Sequence, residues 1–290
     1  MTLVDDGILL VTGNAGDDHL TVTTRFGSGA DPNRIIIAYG SEFTAGQGFP
    51  ALGVKGVRLE GIGGNDYLAI DPSFGLPVTL VGGEGHDVLH GAERDDWFLG
   101  EASNDNIQGG GGNDVVHAGA GDDTVHCGDG NDTILGLGGA DFLHGGYGHD
   151  RLDGGAGDDR VYGEYGNDSI LGLSGEDALF GGMDQDLIDG GMGRDQLFGE
   201  GSNDFLEGGA DDDILDGGTG TDTLYGGDGN DYLIGGRGVG DSMRGGMGND
   251  KFRADDILGN ADSMWGEAGF DVLISAADAD DLFVRGPQTR

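Results

Sequence analysis

The sequence predicts an all-β solenoid built from stacked 18-residue coils, and three observations lead there. Residues 82–234 form 17 consecutive nine-residue units without one insertion or deletion. The sixth position of every unit is Asp and the eighth is apolar. Gly holds the first position in 15 units (Ala118 and Cys127 are the exceptions), the second in 11 and the fourth in 12. A fixed short period over half the chain marks a repeat architecture, in which each unit buries its apolar side only by stacking on its neighbours.

The first six positions of a unit suit a tight turn, because Gly permits backbone angles that other residues avoid. Position five is rich in Asn and Asp (Asp95, Asn104, Asn113, Asp122, Asn131), which best tolerate the left-handed region and are expected there for that reason. The last three positions read as a three-residue strand with one apolar side chain pointing inward. Two units then make one coil, with two facing strands and a turn on each edge, and coils stack at ~4.8 Å.

The flanks are less regular. Residues 1–81 read as an irregular β cap, with strand candidates at 7–13, 20–23, 34–39 and 53–59. Two isolated repeat turns occur there, around Asp18 and Asp66, with a long non-periodic stretch between them. The regular array occupies 82–234, and 235–290 reads as degenerate repeats and a C-terminal cap. Within this C-terminal region a ten-residue unit holds Asp241, and a lengthened step separates Asp250 from Asp262. Asp271 and Asp280 resume the nine-residue step, and residues 281–284 are expected to plug the last coil.

Composition narrows the function classes. The chain has 290 residues, 66 of them Gly, about three times the usual share. Its net charge is −40, with only two Lys (Lys55 and Lys251). Such a balance repels nucleic acid and anionic membranes and attracts cations. One cysteine excludes an intramolecular disulfide framework; Cys127 reads as a small residue in a Gly position. No apolar run is long enough for a membrane-spanning helix, and residues 1–10 lack the positive region of a secretory signal peptide.

The sixth-position aspartates carry the chemistry. They are Asp87, Asp96, Asp105, Asp114, Asp123, Asp132, Asp141, Asp150, Asp159, Asp168, Asp177, Asp186, Asp195, Asp204, Asp213, Asp222 and Asp231, with Asp250 equivalent in a later unit. With two units per coil, Asp87, Asp105 and Asp123 fall along one edge and Asp96, Asp114 and Asp132 along the other. Carboxylates stacked at ~4.8 Å repel, and a hard divalent cation removes the repulsion. Carboxylate and glycyl carbonyl oxygens without a soft ligand select Ca2+ over Zn2+, and the flexible turns favour it over Mg2+. The array offers roughly 15 same-edge pairings, hence roughly 15 calcium ions. Two apolar side chains per coil cannot by themselves offset the backbone entropy of ordering that coil, so metal binding is expected to be coupled to folding.

The units resemble the nonapeptide GGxGxDxUx of the repeats-in-toxin (RTX) family. Full GGxGxD turns occur at 82–87, 109–114, 145–150, 154–159, 190–195, 217–222, 226–231 and 245–250. The resemblance covers about half the chain strictly and most of it loosely. It implies a right-handed parallel β-roll whose calcium ligands are the sixth-position aspartates and backbone carbonyls of the Gly turns. It also implies a bacterial protein that is secreted or displayed at the cell surface by type I secretion and folds in external calcium. Family members carry a C-terminal export signal; residues 280–284 resemble one, whereas 285–290 depart from the pattern. Turns lacking Gly at position four (Arg94, Ser103, Asp184, Ser202, Asp211) are expected to hold ions weakly or not at all, Arg94 most of all.

No catalytic or cofactor-binding residue is assigned, and the chain is not expected to be an enzyme. Cys127 lies within a turn, no nucleophile elbow is present, and residues 1–81 carry no hydrolase motif. His90, His126 and His144 share position nine on one face, either as solvated surface or as a transition-metal site. Tyr162, Phe180 and Phe198 continue that column, as ordinary surface or as a face for self-association or a partner domain. Two functions follow: a calcium-folded structural module of a secreted or surface protein, or the RTX portion of an exported enzyme or toxin with its active domain elsewhere.

Overall fold

The structure, a computed structural model, describes residues 2–3, 8–24, 34–39, 47–50, 54–238, 240–254, 262–275 and 282–285. The described chain is all β, without a helix, and divides into two compact units, residues 1–138 and 139–290.

In the first unit two sheets are built from alternate strands. One contains Ile8–Thr12, Gly56–Gly63, Val78–Glu84, Trp97–Ala102, Val115–Ala120 and Thr133–Gly138, paired in parallel. The other runs His19–Thr24, Tyr67–Ile70, Val88–His90, Asn106–Gly111 and Thr124–Asp129, also parallel. Parallel stacking therefore includes both isolated repeat turns of the N-terminal region. Among the described residues separating them are two antiparallel edge strands: Arg34–Tyr39 pairs with His19–Thr24, and Gln47–Pro50 pairs with Arg34–Tyr39. Thr2–Leu3 closes the edge of the first sheet against Ile8–Thr12, also antiparallel.

In the second unit every described pairing is parallel. Phe142–Tyr147, Arg160–Tyr165, Ala178–Met183, Gln196–Glu200 and Ile214–Asp216 follow one another in one sheet. Arg151–Ala156, Ser169–Ser174, Leu187–Met192 and Phe205–Ala210 do so in the other. Each strand pairs with the strand two repeats on, as Arg160 opposite Phe142 shows. The ten-residue unit is absorbed by a lengthened step, Thr223 opposite Ser242, and the next irregularity by a longer one, Ser242 opposite Ser263. Leu282–Val284 pairs with Ser263–Trp265 as one more parallel strand, so these residues extend a sheet instead of plugging its end. Residues 276–281 and 286–290, which hold Asp280 and part of the export-signal resemblance, lie outside the described residues.

Most strands run six residues where the repeat suggests three. They cover positions seven to nine and continue through positions one to three of the next unit, as in Trp97–Ala102. The extension is possible because position two kinks without leaving the ladder: Glu101 has φ 78° yet still pairs with Gly119. The turn proper contracts to positions four to six. At positions two and four close approach favours glycine, although Glu101 and Ser103 also hold the left-handed backbone there. A Cβ on Gly110 would lie 2.2 Å from the Ala92 carbonyl oxygen, and one on Gly130 1.8 Å from that of Gly112. Among the described residues, position five of the regular array does not use the left-handed region.

Within each unit the core is thin, one inward row from each sheet. All 17 eighth-position side chains, from Leu89 to Leu233, are fully buried. Position one also faces inward: Ala118 and Cys127 are buried. Such a core is sensitive to truncation. Leu179→Ala is expected to destabilise the calcium-loaded chain by about 2–5 kcal/mol, whereas Met192→Ala, at an exposed position, should cost under about 0.5 kcal/mol. Urea unfolding followed by circular dichroism checks the contrast.

Candidate metal centre

Each coil brings two carboxylates into the protein interior. Every expected site aspartate, from Asp87 through Asp231 and Asp250, is at most 4% exposed. Four more aspartates share this burial: Asp66, Asp241, Asp262 and Asp271. The spacing rule sets them apart because longer steps interrupt the period around them. Aspartate after a Gly-rich turn and two residues before an apolar residue is the signal that finds Asp241 (Met243) and Asp271 (Leu273).

Their first oxygens form backbone-anchored columns. In the first unit the Asp66 N–H donates to Asp87 Oδ1 at 2.7 Å, Asp87 to Asp105 at 2.8 Å and Asp105 to Asp123 at 2.7 Å. On the other edge Asp96 donates to Asp114 at 2.8 Å and Asp114 to Asp132 at 2.7 Å. In the second unit one column runs Asp141, Asp159, Asp177, Asp195, Asp213, Asp231, Asp250, Asp271. The other runs Asp150, Asp168, Asp186, Asp204, Asp222, Asp241, Asp262. The two-edge arrangement expected from 18-residue coils is present in each unit.

Position five builds a second, outer column, which explains its Asn and Asp. Asp95 Oδ1 accepts the Asn113 N–H at 2.8 Å, Asn113 Oδ1 accepts that of Asn131 at 2.8 Å, and Asp158 and Asn167 do the same for Glu176 and Gln185. His149 fits the same place, its Nδ1 accepting the Asn167 N–H. The two columns point in opposite directions: sixth-position side chains reach back one coil and fifth-position side chains reach forward.

The second carboxylate oxygens are the unusual feature. Oδ2 of Asp87, Asp105, Asp114, Asp159, Asp168, Asp177, Asp186, Asp195, Asp204, Asp213, Asp222, Asp231 and Asp250 is buried and receives no hydrogen bond. Each lies close to the first position of its own turn. A Cβ on Gly172 would fall 2.4 Å from Asp177 Oδ2 and 2.5 Å from the Gly190 carbonyl oxygen of the next coil. That space belongs to two oxygens, which is why Gly dominates position one.

A buried carboxylate oxygen without a donor is costly, and a proton or a cation relieves it. The carboxyls of Asp114 and Asp213 are pushed up to about 8, and those of Asp105, Asp159, Asp168, Asp186, Asp204 and Asp231 to about 7. Burial is the leading cause in each, the backbone hydrogen bond opposes it, and neighbouring carboxylates add to it. Desolvation thus outweighs the mutual repulsion that stacking suggests.

One turn of the regular array is different. Ala92 and Arg94 are not left-handed, and the Ala92 N–H donates to Asp96 Oδ2 at 3.0 Å. The turns with Ser103, Asp184, Ser202 and Asp211 instead hold the left-handed backbone, with φ between 76° and 84°. Oδ2 of Asp105, Asp186, Asp204 and Asp213 stays without a donor as it does beside glycine.

The donor set fits calcium: hard carboxylate and carbonyl oxygens on flexible turns. Among the described residues no group of three or more His, Cys, Asp and Glu side chains could hold a metal, and first-position carbonyls such as that of Gly190 lie beside the Asp Oδ2 atoms. Buried carboxylates repeated along parallel coils define a calcium-binding β-solenoid. The family model of the RTX calcium-binding nonapeptide repeat matches residues 79–93, 90–125, 127–161, 153–188, 162–197, 189–224, 207–240, 225–256 and 258–286. These segments cover more than half the chain, and the protein belongs to the RTX calcium-binding nonapeptide repeat family. No curated protein matches it.

Raised aspartate pKa values set the pH response of the metal-free chain. The folded form binds more protons than the unfolded one, so this stabilisation is complete below about 4 and is lost as pH rises through about 6 to 8. In chelator, β-structure by circular dichroism is expected to be greater at acid pH than at about pH 8. Calcium affinity should weaken as pH is lowered through the same window, because protons compete for the same oxygens; a flat profile would contradict both.

Proposed function

We propose that this chain is a structural module that folds on binding calcium outside the cell, within a secreted or surface protein exported by type I secretion. The observation that carries the reading is the column of buried, donor-free Asp Oδ2 atoms in register with the RTX repeat. A metal-free fold leaves these oxygens unsatisfied, and a thin core gives little to offset them. Calcium near millimolar concentration outside the cell, scarce inside it, would keep the chain extended for export and fold it on arrival. Bound calcium supplies charge neutralisation between coils. The sixth-position aspartates from Asp87 to Asp231, with Asp250, are its proposed carboxylate ligands, and Asp241, Asp262 and Asp271 join them in the same columns.

Asp96 is the exception within this proposal. Its second oxygen already accepts the Ala92 N–H, and Arg94 adds a positive charge to the same turn. The ion count should therefore fall short of one per pairing at this turn.

Calcium titration in far-UV circular dichroism is expected to convert a disordered spectrum in chelator into β-structure cooperatively; an unchanged spectrum would sink the coupled-folding reading. Asp177→Ala should weaken ions beside Asp159 and Asp195 and leave the Asp168 edge largely intact, as read from calcium stoichiometry by equilibrium dialysis. Ala92→Gly with Arg94→Gly should raise the stoichiometry, and an unchanged ion count would refute the assignment of Asp96.

A further inference from the structure

Outside the metal edges, the second unit carries two rows of rings on the outward face of one sheet. His144, Tyr162, Phe180 and Phe198 stack face to face, with centroids 4.6, 4.7 and 4.9 Å apart. Tyr147 and Tyr165 stack at 4.6 Å in the second row, which Met183 continues in register. Tyr147, Tyr165 and Met183 are exposed.

The rows flank positions one and two of the repeat, where the floor is glycine except at Glu164 and Glu200. Between these glutamates lies a groove of about 260 Å³ over Gly181 and Gly182. Tyr162 and Phe180 wall one side, and Tyr165 and Met183 the other.

Both glutamates sit on left-handed backbone, φ 77° and 69°, where Gly146, Gly182 and Gly218 occupy the same column of this sheet. Side chains are thus placed at two positions that the backbone favours leaving to glycine. They stand two coils apart, ~9.6 Å along the sheet, with Gly182 between them. Glu164 pairs with His144 at 2.6 Å, and Glu200 has no ion-pair partner among the described residues. The nearby guanidinium of Arg160 packs over the Tyr162 and Phe180 rings from position seven, across the first row from the groove.

We propose that this groove receives a lysine or arginine side chain carried by an exposed, apolar segment of another protein. Two carboxylates complement the cation, and ring edges with a thioether suit its aliphatic stem. The exposed rings and Met183 around the groove call for an apolar body beside the charge, which a bare ammonium ion lacks. Roughly 15 calcium ions would leave about −10 of the −40 formal charge, a net negative balance that still opposes a second copy of this chain as the occupant.

The test uses the calcium-loaded full chain and a fluorescent peptide of alternating leucine and lysine, read by anisotropy at about 0.15 M salt, where long-range attraction is screened. Glu164→Gln with Glu200→Gln should weaken binding about tenfold. A control with Glu101→Gln and Glu207→Gln, which removes equal charge elsewhere, should change it less than about twofold. Equal losses in both variants would reduce the effect to bulk charge and overturn the proposal. So would undetectable binding to the unaltered chain, or competition by spermidine as effective as by unlabelled peptide. Should the glutamate variant lose its calcium-induced β signal, Tyr165→Ala with Met183→Ala must show the same weakening; unchanged binding there overturns the proposal too.

Discussion

One buried carboxylate in every nine residues is the constraint on which this fold rests. A side chain that prefers water is held inside, with one oxygen tied to the backbone of the adjacent coil and the other facing a carbonyl. First-position glycine follows from it, because a Cβ there would occupy the place of the carboxylate oxygen. So does the fit to calcium: the oxygens are too buried to be left charged and unpaired, and their common geometry offers a hard cation a repeated site. Family membership and the proposed calcium ligation meet at that single atom, Oδ2.

Coil-to-coil order does not depend on the aspartate edges alone. Backbone ladders, inward apolar residues and the outer fifth-position column all repeat at the same step, and the outer column runs against the inner one. A sliding coil would break both at once. This redundancy explains how a ten-residue unit is tolerated. The step lengthens, yet Asp222 still donates to Asp241 at 2.8 Å and Leu224 still faces Met243. At the Gly91 turn only the second oxygen of Asp96 closes on its own turn; the first still accepts the Val78 N–H of the preceding coil at 3.0 Å, and the strands stay in register.

Much of this is legible in the residues. The all-β solenoid, the 18-residue coil, the buried eighth position and the two aspartate edges all follow from strict periodicity, because stacking transmits one rule to every unit. The length of the strands is not legible, since a glycine-rich stretch reads as turn although Glu101 and Gly119 pair through it. Local preference assigns fifth-position Asn and Asp to left-handed backbone, whereas their work is a hydrogen bond to the next coil. Position along the chain leaves His144 open as a surface or a metal residue, and packing instead stacks it on Tyr162 and pairs it with Glu164.

Local pattern by itself determined what repeats: the period, the inward residue, the oxygen donors and hence the kind of ion. Tertiary structure decided what each oxygen and ring meets. Whether a carboxylate keeps a free oxygen, as Asp177 does, or closes on its own turn, as Asp96 does, depends on backbone angles at positions two and four. Whether Tyr162 and Tyr165 are scattered surface or two walls of one groove depends on residues brought side by side by stacking. Periodicity specifies neighbours along the chain, and only packed coils specify neighbours across it.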